Sequence, residues 1–574
     1  MRRTLSLFLI AVFLVSFFGF VSCAKPAVTP PVKVTAQEIR YNLGTEPAAI
    51  DPAVTQGIPE ANILLQVFDG LTRIDEKNIP QPAIAKSWTI SKDLKTYVFT
   101  LRDASWTDGT PVTAYDFEYA WIRALSPELA AVYAYQLYYV RGGEAFSKSV
   151  KVGTKYYVQA VDAKGNPLTK KVGGKDVAVP DMKKEINPSK DVGVKALDAK
   201  TFQVNLESPT VYFLNLTAFP TLMPVSKAVV SKNDKWASSP TNFVTNGPFK
   251  LTEWSHNEKM IFVNNPTYWD KDKVKLTKLT YFMVEDETTA LSMFQSGQLD
   301  ASSNVPISEL PKLVTSGDAQ ILPYLGTYYY QFNVTKKPFD DVRVRKALTL
   351  AINRKSVTKS ITQGGQVPAL AYVPYGIADA LPGSDFRKTS QEAFFKDDDL
   401  AAAQKLLADA GYPGGKGFPT FSLLYNTSNA HKSIAEAIQQ MWKKNLGITA
   451  TLKSEEWGVY LDDRNNLNYQ VARAGWIGDY ADPNTFLDMW LTGGGNNGTG
   501  WSNKSYDALI AKAKTTVDPK ARMETMHAAE KILMTEMPII PIYYYTNPVL
   551  LKKTIKNFYQ STLGFVDWKS AYMG

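Results

Sequence analysis

Alternating apolar and polar positions predict strands at Glu38 to Leu43 and at Thr96 to Leu101, the second leading toward the turn signal Asp108-Gly109-Thr110-Pro111. After residue 340 the apolar spacing changes to three and four. Ala347, Leu348, Ala351 and Ile352 then share one face of a helix that Asp340-Asp341 can cap. Asp397 or Asp398 is expected to cap a second, Ala/Leu-rich helix that stops at Gly411, with Pro413 just beyond. A third is expected from Asn429 to Asn445. Strand and helix signals are mixed through the whole chain, which predicts layered, mixed α/β structure.

Two segments are dense in tyrosine: Tyr328-Tyr329-Tyr330-Gln331-Phe332-Asn333 and, about 215 residues later, Ile542-Tyr543-Tyr544-Tyr545-Thr546-Asn547. Both read as strands. Paired, they would close a domain between them and form a two-stranded hinge. Residues 150–190 differ in texture: Val158, Ala160 and Val161 lead into a polar turn and a Lys/Gly-rich return, read as a surface β-hairpin insertion.

The N-terminus follows another pattern. Arg2 and Arg3 precede an uncharged, mostly apolar run from Leu5 to Phe20, the form of a signal peptide over residues 1–22. The run falls short of the roughly 20 apolar residues that span a bilayer. Cys23, the sole cysteine, can form neither an internal disulfide nor a cysteine-rich metal site. Its place after a small residue resembles the lipobox of bacterial lipoproteins, with Phe20 where leucine is usual. The alternative is an incidental cysteine beside an ordinary cleavage site. On the first reading Cys23 is acylated, and residues 23–37, with Pro26, Pro30 and Pro31, form a tether.

At 574 residues the chain needs two or three domains, and its composition, 45% hydrophobic and 21% charged, is that of a soluble globular protein. The formal charge of +9 falls to +7 without the signal. That excess is read as spread along the chain, a solvated surface that could be attracted to anionic lipid or cell wall, and no nucleic-acid stripe. Enzyme signatures are missing. His256, His431 and His527 form no metal-ligand spacing, no G-x-S-x-G elbow occurs, and Ala410 stands where a phosphate loop needs its first glycine. Binding without cofactor or metal is the expectation, and 30 Tyr with 12 Trp suffice to line an amphipathic ligand surface.

The informative stretch is Arg473-Ala474-Gly475-Trp476-Ile477-Gly478-Asp479-Tyr480-Ala481-Asp482-Pro483, at the end of a strand-like run. Asp482 before Pro483 is expected to cap a helix. Asp479, between Trp476 and Tyr480, could accept a ligand's ammonium group or form a structural salt bridge.

Here the chain resembles the extracellular solute-binding proteins of the dipeptide/oligopeptide/nickel group. The likeness is carried by Trp106-Thr107-Asp108-Gly109-Thr110-Pro111, Asn246-Gly247-Pro248-Phe249, Tyr268-Trp269, Val342 to Leu348, Leu424-Tyr425-Asn426-Thr427-Ser428, Trp442 to Gly447 and the Arg473 segment. It implies a two-lobed periplasmic-binding fold, type II-like, with an additional domain. Expected boundaries are 38–68 with 227–331 and 547–574 for lobe I, 69–226 for the additional domain and 332–546 for lobe II. The resemblance further implies that Asp479 pairs with a peptide's α-ammonium. Trp476, Trp457 and Tyr133 would line side-chain pockets. Arg473, Arg464 and His431 belong to the binding region, the first and last associated with the peptide carboxylate. Gly475 and Ile58 would pair with the peptide main chain, and Tyr545 joins the candidate site.

Gln56 stands where the best-known oligopeptide binders have glutamate, which weakens an inherited preference for cationic residues, and Ile477 replaces a smaller residue. Arg464 could instead pair with Asp462 or Asp463, Trp457 could be core, and His431 an exposed surface residue. The expected partners are short peptides, the permease and ATPase subunits of an ABC importer, and the membrane through Cys23, with the protein a monomer. The same fold binding an oligosaccharide or other solute, or serving as a peptide-binding chaperone or adhesion lipoprotein, is the alternative.

Overall fold

The central sheet draws strands from both ends of the chain. Its order is Phe249–Ser255, Lys259–Asn264, Lys278–Phe282, Glu38–Asn42, Ala301–Ser302, Ile539–Leu551, Ala319–Phe332, Val471–Ile477, Phe421–Asn426 and Ala450–Glu455, with Val367–Pro368 also on Ile539–Leu551. This computed structural model describes residues 36–162, 167–210, 212–381, 383–389 and 391–574. The expectations for the signal peptide, Cys23 and the tether to residue 35 lie outside the described residues. Gln37–Gly574 form one compact unit.

Each side of the sheet carries parallel pairs. Glu38–Asn42 runs parallel to Lys278–Phe282 and Ala301–Ser302. Phe421–Asn426 runs parallel to Ala450–Glu455, with helix Asn429–Leu446 as the crossover. Ile434, Ile438 and Trp442, four residues apart, bury one face of that helix, and Gly447 ends it in the left-handed conformation. The two long strands Ala319–Phe332 and Ile539–Leu551 join the sides as an antiparallel pair, Tyr328 opposite Tyr543, with register shifts at Pro323/Thr327 and Tyr328/Tyr329. The expected pairing of the tyrosine-rich segments is therefore observed. Tyr328 and Tyr543 stack at 4.7 Å.

A separate antiparallel sheet, Val194–Ala196, Thr201–Asn205, Thr96–Leu101 and Ala85–Ile90, lies within residues 69–226. Thr96–Leu101 buries every second residue, as its alternation predicts. Helix Ala114–Leu125 packs on this sheet; Asp116 accepts from the Thr113 N–H at 2.9 Å and hydroxyl at 2.8 Å. Gly247 shows why one motif needs glycine: a Cβ there would run into the main chain of Val67 and Phe68, whose helix end it joins through Gly247 N–H to Val67 O at 2.7 Å.

Three expectations need correction. The helix Leu400–Asp409 is capped by Asp399, not by Asp397 or Asp398. Asp397 is taken by the buried Arg354 at 3.2 Å, while Asp398 adopts a positive φ and accepts from Asn353. Residues 150–190 hold more than one hairpin: a three-stranded sheet, Val150–Val152, Lys155–Gln159 and Pro180–Ile186, plus the separate pair Thr169–Val172 and Lys175–Ala178. Asp482 is not the N-cap with Pro483 at N1: Pro483 takes the cap position and the helix runs from Asn484 to Leu487, continued by a 3-10 turn. Asp482 does accept from the Asn484 N–H at 2.9 Å, and Arg522 binds both its oxygens at 2.7 and 2.8 Å. Among the described residues no helix is long and apolar enough to cross a membrane.

Candidate functional site

Val471–Ile477 lies antiparallel to Ala319–Phe332, with Gly475 opposite Tyr328 and Ile477 opposite Gly326. On its other side Phe421–Asn426 pairs only with Val471 and Ala472. From Arg473 to Ile477 that second edge therefore has no partner strand among the described residues. Gly475 matters for the same stretch, because a Cβ there would run into the Tyr545 hydroxyl.

Two adjoining cavities flank this edge. The first encloses about 740 Å³, the second about 1510 Å³, open solvent at their mouths included. Ile58, Trp457, Gly475 and Ile477 line both. Gln56, Tyr133, Arg464, Trp476 and Asp479 line the first, and His431, Arg473 and Tyr545 the second. All twelve residues singled out in the sequence thus come together along one strand.

In the first cavity Asp479 is 8% exposed and accepts from Gln136 Nε2 at 2.6 Å, while its own N–H donates to Thr485 Oγ1 at 3.0 Å. Among the described residues no cation lies within ion-pair distance of it, so the salt-bridge alternative is not realised. Asp482 has Arg522; Asp479 has only neutral donors. Burial, and then the charge of Asp488, push the Asp479 carboxyl well above the ordinary carboxylate range. Bonds from Gln136, Thr485 and Tyr135 oppose that shift. Beside it Trp476 stacks on Tyr133 at 6.2 Å and 16°, and Tyr133 stacks on Tyr135 at 5.6 Å. Trp457 is half-buried, stacks on Tyr460 and donates to the buried Glu60 at 3.1 Å, so it lines the cavity as well as supporting it. Gln56 accepts from Asn465 at 2.8 Å. Arg464 makes no ion pair with Asp462 or Asp463; its guanidinium lies 5.8 Å from the Tyr460 ring.

In the second cavity Arg473 donates to the Tyr545 hydroxyl at 2.7 Å and to Asn426 Oδ1 at 3.2 Å, and lies 4.8 Å from the Tyr328 ring. Its Nε is buried without a hydrogen-bond partner, and among the described residues no carboxylate pairs with the group. Arg473 is thus a half-buried cation held by neutral groups, the counterpart of Asp479. His431 stands in the first turn of Asn429–Leu446, its N–H on the Ser428 hydroxyl at 3.3 Å and its Nδ1 3.3 Å from the Tyr328 hydroxyl. Burial, then the Arg473 charge, hold its imidazole well below its usual pKa, so it is neutral at neutral pH. It is partly buried and faces the cavity, not an exposed surface residue.

Several contributors were not singled out beforehand. Tyr328 and Asn426 lay in noted segments, so the signal was there. Glu287, 7% exposed and bonded to the Ser428 hydroxyl at 3.0 Å, and Gln136 carried none. Among the described residues no group of three or more His, Cys, Asp or Glu is placed to hold a metal ion.

A two-sided sheet joined by two long strands, with cavities along a half-paired strand, defines a two-lobed solute-binding protein. The chain belongs to the bacterial extracellular solute-binding proteins, family 5, whose middle region matches residues 80–498. Such proteins bind solutes and are not enzymes. Oligopeptide-binding protein OppA of Bacillus subtilis is 38% identical over 545 residues, covering 93% of this chain and 92% of its own length. The Haemophilus influenzae OppA complex with RPPGFSPFR is 32% identical with a TM-score of 0.83, covering 94% of this chain and 99% of that one. The Escherichia coli murein tripeptide binding protein MppA, 35% identical, matches with a TM-score of 0.82 over 94% of this chain and 98% of that one. Its unliganded open form, covering 94% and 97%, reaches only 0.60. The arrangement of Gln37–Gly574 therefore differs from that open form.

Proposed function

We propose that this chain captures oligopeptides outside the cytoplasm and delivers them unaltered to an ABC importer, held at the membrane by lipid on Cys23. The observation that carries the reading is Asp479: a carboxylate buried among aromatic rings with no cationic partner among the described residues, just beyond a strand whose second edge is open from Arg473 to Ile477. A peptide's α-ammonium supplies the missing charge. Its main chain adds to the edge from Arg473 to Ile477, giving affinity independent of sequence. Its side chains enter the two cavities, where water can adapt to their shapes. Arg473 with neutral His431 receives a carboxylate. The names of the relatives support peptides as the solute class.

In this reading residues 38–68, 227–331 and 547–574 form one lobe, 332–546 the other, and 69–226 the additional domain, closing about the paired long strands as a monomer. Native mass spectrometry of the protein as purified tests the ligand class. A heterogeneous set of short peptides is expected; a single sugar mass would overturn it.

A further inference from the structure

The positive charge is not spread as its sequence suggested. Residues 151–190 hold nine lysines and four acidic residues, a net +5, against +7 for the whole chain without residues 1–22. Separate from the three-stranded sheet of this region is a two-stranded one, Thr169–Val172 with Lys175–Ala178, turned by Gly173 and Gly174, both at positive φ.

Register sorts its two sides. Lys170 stands opposite Val177 and Val172 opposite Lys175, while Lys171 stands opposite Asp176. Side chains alternate along a strand, so Lys170, Val172 and Val177 share one face and Lys171 with Asp176 the other. Lys171 is neutralised by Asp176 at 2.8 Å. Lys170 has no acidic partner among the described residues, and beside it Val172 is 53% and Val177 40% exposed. Leu168, of the same parity, is also exposed. An isolated hairpin gains little from displaying valines to water.

We propose that this hairpin face docks on an anionic lipid bilayer surface. A soluble polyanion would engage the lysine and leave the valines in water, whereas an anionic interface takes the cation at the headgroups and the apolar tips below them. This proposal is separate from the lipid anchor, because it concerns the environment of residue 172 and not attachment at Cys23.

The test uses the full-length chain with Val172→Cys carrying an environment-sensitive fluorophore, titrated with vesicles of phosphatidylcholine alone or mixed with phosphatidylglycerol. The chain without Val172→Cys, treated identically, reports any dye on Cys23. Emission should brighten and shift to the blue only with the anionic vesicles. Lys170→Glu should raise the lipid concentration at half-change by roughly tenfold. Salt at about 0.5 M should weaken the response of the labelled chain without further substitution. Peptide titration should be unchanged in every hairpin variant. Equal emission with both vesicle types, an unmoved dye on a vesicle-bound chain, or a full shift with polyglutamate and no lipid would each overturn the proposal.

Discussion

Gln136 Nε2 lies 2.6 Å from Asp479 Oδ2 although 343 residues separate them. The amide orients the carboxylate without neutralising it, leaving a buried acid poised for a cation. Gln136→Leu should therefore weaken peptide binding by about tenfold, the scale of one hydrogen bond to a charged group, about 1.5–3 kcal/mol in general. Isothermal calorimetry with a fixed tetrapeptide measures it. An unchanged Kd would show that the amide does not position the acid.

The raised pKa of Asp479 gives binding a pH signature. A buried acid with a raised folded-state pKa is neutral below its unfolded value, and the folded protein loses stability as pH rises from that value through the folded one. A bound ammonium favours the ionised form. Peptide binding should therefore release protons and tighten as pH rises toward the folded pKa, until the peptide's own amine deprotonates near 8. Calorimetry in buffers of different ionisation enthalpy reads the proton count. Proton uptake over this range would contradict the assignment. His431 is already neutral, so it should not titrate near pH 6.5.

Arg473 is expected to serve the opposite end of the ligand. Arg473→Gln should cost about tenfold for a peptide with a free carboxylate that reaches the second cavity, and little for its C-terminal amide. Equal losses for both would assign Arg473 to scaffolding through Tyr545 and Asn426.

Asp482 provides the contrast. Its partner Arg522 is 8% exposed and binds both carboxylate oxygens. Arg522→Leu should destabilise the fold by about 3–5 kcal/mol, since it strands a buried charge. Thermal unfolding should show a lowered Tm, whereas Asp479→Asn should leave Tm unchanged or raised.

Much of this site was legible because its residues cluster in the sequence: Arg473 to Asp479 occupy one strand and the turn after it. The tyrosine strands were legible because β-rich runs of that kind suit the middle of a sheet. Gln136 was not, since a glutamine in a 3-10 turn carries no pattern and gains meaning only by meeting Asp479 in space. The Asp399 cap was missed because three successive aspartates offer equivalent chemistry, and Arg354 and Asn353 decide among them from outside the helix. The two small sheets of 150–190 were compressed into one hairpin because short exposed strands leave almost no hydrophobic period.

The most direct measurement is a calorimetric cycle on Asp479, comparing a tetrapeptide with its N-acetylated form in the parent chain and in Asp479→Ala. The account predicts that Asp479→Ala weakens the free-amine peptide by at least ~100-fold, from ~3–5 kcal/mol for breaking such a pair at ~1.4 kcal/mol per decade. The acetylated peptide, already lacking the ammonium, should lose little more. A loss below threefold for the free amine, or equal losses for both peptides, would contradict it.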